Sequence, residues 1–134
     1  MIKRLILSSK HRDELKRFAI DALPLESCAL LAGSIDGDDV IVSRIILTKN
    51  YDRSRTTFSI ESTELLEAYK EAENHGFDIV GVFHSHPAPA RPSATDAKYM
   101  EINPVPWLIM STTDNELEAF LFESVINKLD LVVT

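Results

Sequence analysis

Two histidines separated by one residue, followed ten positions later by an aspartate, are the part of this sequence whose residue types and spacing can do chemistry: His84, His86 and Asp96. In a strand, residues two apart share a face and stand roughly 6.6 Å apart along the axis, so both imidazoles can turn toward one ion while Ser85 points away. Asp96 becomes a third ligand if the intervening loop folds back. Two nitrogens and one oxygen suit zinc, and they leave a fourth position for water, which separates a catalytic site from a structural one. Cys28 is the only cysteine, which excludes an intrachain disulfide and any multi-thiolate site, so a metal here must be held by His and carboxylate. The tetrapeptide Ser93-Ala94-Thr95-Asp96 also reads as a helix start, with Ser93 as N-cap and Asp96 in the first turn. The two roles are compatible, because a serine hydroxyl can cap through one lone pair and still turn toward the site. His11 and His75 have no spacing partner; they read as residues at a helix start and a helix C-terminus.

These side chains need elements to position them. Residues 2–8 read as a strand, and Lys10 to Leu23 places Leu15, Phe18, Ala19 and Ala22 on one helical stripe that Pro24 closes. The apolar run Cys28 to Gly33 suits a buried strand, and Asp36-Gly37-Asp38 turns it into a second strand over Val40 to Leu47. Thr48 to Thr57 is a polar loop whose Arg53 and Arg55 are expected to be solvated, although they could meet acidic groups on a partner; Phe58 to Ile60 is expected to add a brief strand. Ser62 to His75 is a helix with Leu65, Leu66, Tyr69 and Ala72 on its apolar face and Gly76 as its stop. Phe77 to Phe83 is β-rich and delivers the histidines at its end, where the rigid sheet fixes them and Pro87 opens the chain into a loop. A short helix over Ser93 to Ile102 and strands at Trp107 to Ser111, Leu117 to Phe122 and Val125 to Val133 complete the chain. The order implies an α/β fold with a mixed sheet and helices packed on it.

Composition narrows the function classes. A chain of 134 residues that is 45% hydrophobic can bury one core, and a single domain over 1–134 is the expectation. With 14 Lys plus Arg against 21 Asp plus Glu, the formal charge of -7 repels nucleic-acid phosphate. The longest apolar stretches fall short of the roughly 20 residues of a membrane helix, and no apolar leader follows Lys3 and Arg4, so no membrane and a cytoplasmic location are expected.

Taken together, His84-Ser85-His86-Pro87 and then Ser93-x-x-Asp96 resemble the signature of the JAMM metalloproteases, also called the MPN-plus family. Six residues separate His86 from Ser93, one fewer than in the common family spacing. The segment Leu25-Glu26-Ser27-Cys28-Ala29-Leu30-Leu31-Ala32-Gly33 is similar to the family's Glu-x-Cys-Gly-Leu-Leu block, with Ala29 where many members have glycine. The resemblance runs along nearly the whole chain and implies a mainly antiparallel mixed sheet flanked by helices, similar to the cytidine-deaminase arrangement. It also implies roles: His84, His86 and Asp96 hold one Zn2+ per chain, Glu26 is general acid and base, and Ser93 donates to the developing oxyanion. Outside that company Glu26 would read as a solvated strand-edge carboxylate.

The implied reaction is hydrolysis of the peptide or isopeptide bond after the C-terminal glycine of a ubiquitin-like modifier. A substrate of the sulfur-carrier type with an amino-acid adduct, and a non-catalytic interaction domain of the same fold, are the alternatives. The near-minimal length implies few substrate-grasping segments, and an extended modifier tail is expected to add as a strand beside the one that leads to the histidines. A homodimer is compatible with the sequence. A zinc nucleobase deaminase is not, because that chemistry needs a Cys-x-x-Cys pair.

Overall fold

The computed structural model describes residues 1–134. Chain order is β1 (Arg4–Leu7), α1 (Ser9–Ala22), β2 (Cys28–Asp36), β3 (Asp39–Thr48), α2 (Ser62–Asn74), β4 (Asp78–His86), α3 (Ala94–Ile102), β5 (Trp107–Ser111), β6 (Leu117–Glu123) and β7 (Val125–Val133). The seven strands close into a ring in the order β1-β3-β2-β4-β5-β6-β7. Antiparallel pairings (β2–β3, β2–β4, β5–β6, β6–β7) outnumber the parallel ones (β1–β3, β1–β7, β4–β5) only slightly. Closure depends on β1, which pairs in parallel with both β3 and β7 and so joins the two ends of the chain.

Side-chain alternation divides the core. Ala29 and Leu31 of β2, Val80 and Phe83 of β4, and Leu108 and Met110 of β5 meet Leu15 and Ala19 of α1. The opposite face of β2 and β3, through Leu30, Ala32 and Ile46, packs on Ala68 and Ala72 of α2, while Trp107, Ile109 and Phe120 pack on Met100 of α3. Strands covered on both faces must be apolar without interruption, which is why Cys28–Ala32 and Trp107–Met110 are continuous runs buried along their length.

The apolar face of α2 differs from the expected one. Ala68 and Ala72 are buried, whereas Leu66 and Tyr69 are 55% and 52% exposed. Small residues four apart let the helix axis approach the sheet closely, and the bulkier side chains are left on the flank. Residues 58–60 form no strand; they run as an extended loop toward the metal-binding face. Beside the histidine end of β4 no strand can add, because β2 pairs with one edge as far as His84 and β5 with the other from Val82 to His86.

Gly33 marks the tightest backbone approach. The β2–β3 register shifts between Ala32 and Gly33. A Cβ at Gly33 would overlap the Ile41 carbonyl oxygen and stand 2.9 Å from its carbon and 3.1 Å from Val42 Cα. All three are backbone atoms, so no side chain can move aside. Gly33→Ala is expected to cost at least about 2 kcal/mol in urea unfolding. Gly37→Ala, in open space at φ +61, should cost only about 1 kcal/mol. Equal midpoints for the two variants would contradict the close approach.

Candidate metal centre

β4 presents Phe83 and Ser85 to the face covered by α1 and turns His84 and His86 to the other. Ser85 is fully buried, and its hydroxyl meets Ser27 Oγ at 2.6 Å and accepts from the Ser27 N–H at 3.1 Å. The Ser85 N–H in turn donates to the Ser27 carbonyl at 3.1 Å. These contacts fix the register between the segment that carries Glu26 and the strand that carries both histidines. Ser85 thus points away from the imidazoles, as strand geometry requires, and is used behind them.

His84 is completely buried. The Phe58 ring stacks on it at 4.7 Å and 25°, Trp107 meets it edge-on at 5.9 Å, and the His86 ring lies 5.2 Å away. Its Nε2 stands 3.1 Å from Asp96 Oδ2 and its Nδ1 3.4 Å from Glu26 Oε1. Despite these distances the directions do not make hydrogen bonds: both ring nitrogens and Glu26 Oε1 are buried without a partner. Orphaned polar atoms at this depth are costly, and several gathered around one point call for a cation. His84, His86 and Asp96 bring their ligand atoms within 4.8 Å of one another, all three residues being buried. The residues therefore fit a metal site of two nitrogens and one oxygen.

Outer contacts orient the candidate ligands. His86 Nε2 lies 2.9 Å from the Pro89 carbonyl; a carbonyl only accepts, so this nitrogen carries the proton and Nδ1 keeps the lone pair. Asp96 takes part in a reciprocal capping box at the start of α3: the Ser93 hydroxyl accepts from Asp96 N–H at 3.0 Å, and Asp96 Oδ2 accepts from Ser93 N–H at 2.9 Å. The helix-start geometry of this tetrapeptide leaves Asp96 placed as a candidate ligand. With its lone pair used in the cap, the exposed Ser93 hydroxyl retains its own proton to donate. The six-residue turn from Pro87 to Pro92 is long enough to bring Asp96 to His84.

In the absence of a metal, a proton substitutes for it. Burial alone pushes the His84 imidazole pKa down, but the Asp96 and Glu26 carboxylates outweigh burial and raise it from 6.5 to about 9. Burial pushes the Asp96 carboxyl up, and contact with His84 and Ser93 overcomes this to leave it low. Cys28, opposite His84 in the β2–β4 register, is raised to about 11 by burial against the hydrogen bond from Thr48 and remains a thiol. It offers no thiolate.

The sequence reading named His84, His86, Asp96, Glu26 and Ser93, and the structure gathers His86, Asp96 and Glu26 around His84, with Ser93 capping beside Asp96. It missed Phe58 and Trp107, the aromatic walls of the His84 site, and Asn50, whose contacts reach the Glu26 backbone. Arg53 and Arg55 are exposed and make no ion pair.

Comparison with known proteins gives this arrangement a lineage. Residues 8–123 match the family described as prokaryotic homologs of the JAB domain. A desampylase from Pyrococcus furiosus is 35% identical over 82 residues, 60% of this chain and 59% of that protein. A CysO-cysteine peptidase from Mycobacterium tuberculosis is 35% identical over 92 residues, 68% of this chain and 62% of that protein. The matches thus span about three fifths of the length of these named relatives. A solution structure of a protein from Desulfitobacterium hafniense superposes with a TM-score of 0.88 at 33% identity, covering 97% of this chain and 92% of the other. A family match over residues 8–123, most of the chain, places the chain in the family of prokaryotic homologues of the JAB domain.

Proposed function

We propose that this protein is a zinc-dependent isopeptidase or peptidase that hydrolyses the bond after the C-terminal glycine of a ubiquitin-like protein. The observation that carries the reading is the fully buried His84 imidazole with a ligand carboxylate, Asp96, on one side and a second carboxylate, Glu26, on the other. A structural metal site needs only the first. The second, buried and free of hydrogen bonds at Oε1, is suited to moving a proton. His84, His86 and Asp96 would hold the zinc, which when bound supplies a water of pKa near about 7 and a Lewis acid for the scissile carbonyl.

Glu26 takes the proton of the attacking water and returns it to the departing amine. The Ser93 hydroxyl donates to the carbonyl oxygen as negative charge develops there, and it is not a nucleophile, since no further histidine stands beside it to activate it. The names of the relatives favour a modifier conjugate as substrate, and the CysO-cysteine peptidase supports a second reading in which the leaving group is an amino acid rather than a lysine side chain. A cytosolic setting and a protein partner belong to the same proposal. A ubiquitin-like fusion cleaved at its terminal glycine, set beside a modifier–cysteine adduct, distinguishes the two readings.

Metal analysis of the purified protein should find about one zinc per chain. Asp96→Asn keeps a side-chain oxygen for the Ser93 N–H but loses the charge, so it should fold and bind far less zinc. An absence of zinc in wild type under zinc-replete conditions sinks the reading.

Protons and metal compete for His84. Because its folded pKa is raised from 6.5 to about 9, zinc affinity should weaken as pH falls below about 9, by roughly tenfold per unit for one displaced proton. The chelator-treated protein carries the opposite dependence: the stability contributed by protonated His84 is complete below pH 6.5 and is lost as pH rises through about 9. Thermal melts across that range, with and without chelator, check both directions.

Glu26→Gln should lower kcat by roughly 100- to 10,000-fold with zinc retained, and Ser93→Ala by roughly 100- to 1,000-fold. Cleavage by Glu26→Gln at the wild-type rate removes Glu26 from the mechanism.

A further inference from the structure

Glu26 lies between α1 and β2, outside every strand ladder, and its backbone tethers both end on the loop that follows β3. Its N–H donates to the Ser54 carbonyl at 2.8 Å, and its carbonyl accepts from Asn50 Nδ2 at 3.1 Å. The same Asn50 amide also donates to the Ser54 carbonyl at 3.3 Å and the Thr57 carbonyl at 2.9 Å. Its oxygen accepts from the Asp52 N–H at 3.1 Å and the Ser59 N–H at 3.3 Å. One side chain thus closes the loop on itself and fastens it to Glu26. The loop then continues into Phe58, which stacks on His84.

From these contacts we infer that Asn50 is a positioning residue for Glu26: its carboxamide, acting through the loop, sets where the Glu26 carboxylate stands relative to His84. The inference rests on the proposed role of Glu26 in hydrolysis. The chemistry favours an amide over any other short side chain. Three carbonyl oxygens converge on Nδ2, which only a donor can satisfy, while two N–H groups converge on Oδ1, which only an acceptor can. Aspartate at this position keeps the second set and loses the first, and its charge would face three carbonyls. The carboxylate of Glu26 is buried and free of direct hydrogen bonds at Oε1, so its location is inherited from its backbone. A displacement on the order of 1 Å at a reacting group costs roughly 100-fold in rate.

The test is a double-mutant cycle with a second readout that needs no activity. Asn50→Asp and Asn50→Ala are each placed in the wild-type and Glu26→Gln backgrounds, with zinc content measured for all. In the wild-type background each should lower kcat by roughly 10- to 100-fold with KM little changed. In the Glu26→Gln background each should cost less than about threefold, because the group being positioned is already gone. In the metal-free protein, amide hydrogen exchange at Glu26 should accelerate by about tenfold or more in Asn50→Asp, as expected for a loosened N–H to Ser54, while amides of the β6–β7 hairpin keep their wild-type rates. Equal losses of kcat in the two backgrounds, or an unchanged Glu26 exchange rate, overturns the inference. If zinc-loaded wild type cleaves no substrate, the proposed function fails instead, and the exchange measurement still decides whether Asn50 holds Glu26.

Discussion

An imidazole that is wholly removed from water, with a carboxylate beyond each of its nitrogens, is stable only if a positive charge resides there. That requirement organises much of the molecule. His84 has no hydrogen-bond partner and no solvent, so either a proton or a metal ion must balance Glu26 and Asp96. The elements around it are those needed to hold three charged groups at fixed distances. β4 supplies both histidines from one rigid backbone, the start of α3 supplies Asp96, and the approach to β2 supplies Glu26. Phe58 and Trp107 exclude water from the remaining sides of the ring, which lowers the local dielectric and strengthens each of these interactions.

The candidate ligand set was legible in the sequence because its geometry is local. His84 and His86 share a face by strand periodicity alone, and Ser93 with Asp96 is a reciprocal cap whose spacing is fixed by one helical turn. Glu26 was legible only through the resemblance to the JAMM family, since no local rule connects it to residues some sixty positions later. Apart from the strand expected at Phe58 to Ile60, which does not form, the strands and helices emerged within a few residues of their ends, with the hairpin at Gly37 and the stop at Gly76 both marked by positive φ.

What stayed hidden depends on contacts between distant segments. Closure of the ring needs β1 and β7 to pair, and neither strand carries a signal for a partner at the opposite end of the chain. A strand with both edges filled looks the same in sequence as one with an edge free, which is why the expected substrate strand finds no free edge at the histidine end of β4. On α2 the expected face was right at Ala72 and missed Ala68, because an alanine is a weaker hydrophobic signal than Leu65, Leu66 and Tyr69, although closeness to the sheet favours the smaller residues. Asn50 was read as part of a polar loop, and its polar character was right; its five hydrogen bonds were invisible because they join positions 26 to 59 in space.

The state of Cys28 bears on how the metal site is assembled. In the folded chain burial keeps the sulfur protonated, with a pKa of about 11, but in the unfolded chain a cysteine ionises near about 8.5 and is a strong zinc ligand. Folding therefore removes the one soft donor from competition at the same time as it brings the hard and borderline donors together. The order of events matters for that reason: a metal ion encountered after folding meets the candidate group His84, His86 and Asp96 with no thiolate beside it, whereas one encountered before folding can be captured by a sulfur that belongs in the core. Protection of the mature site and vulnerability of the nascent chain are two consequences of the same buried thiol.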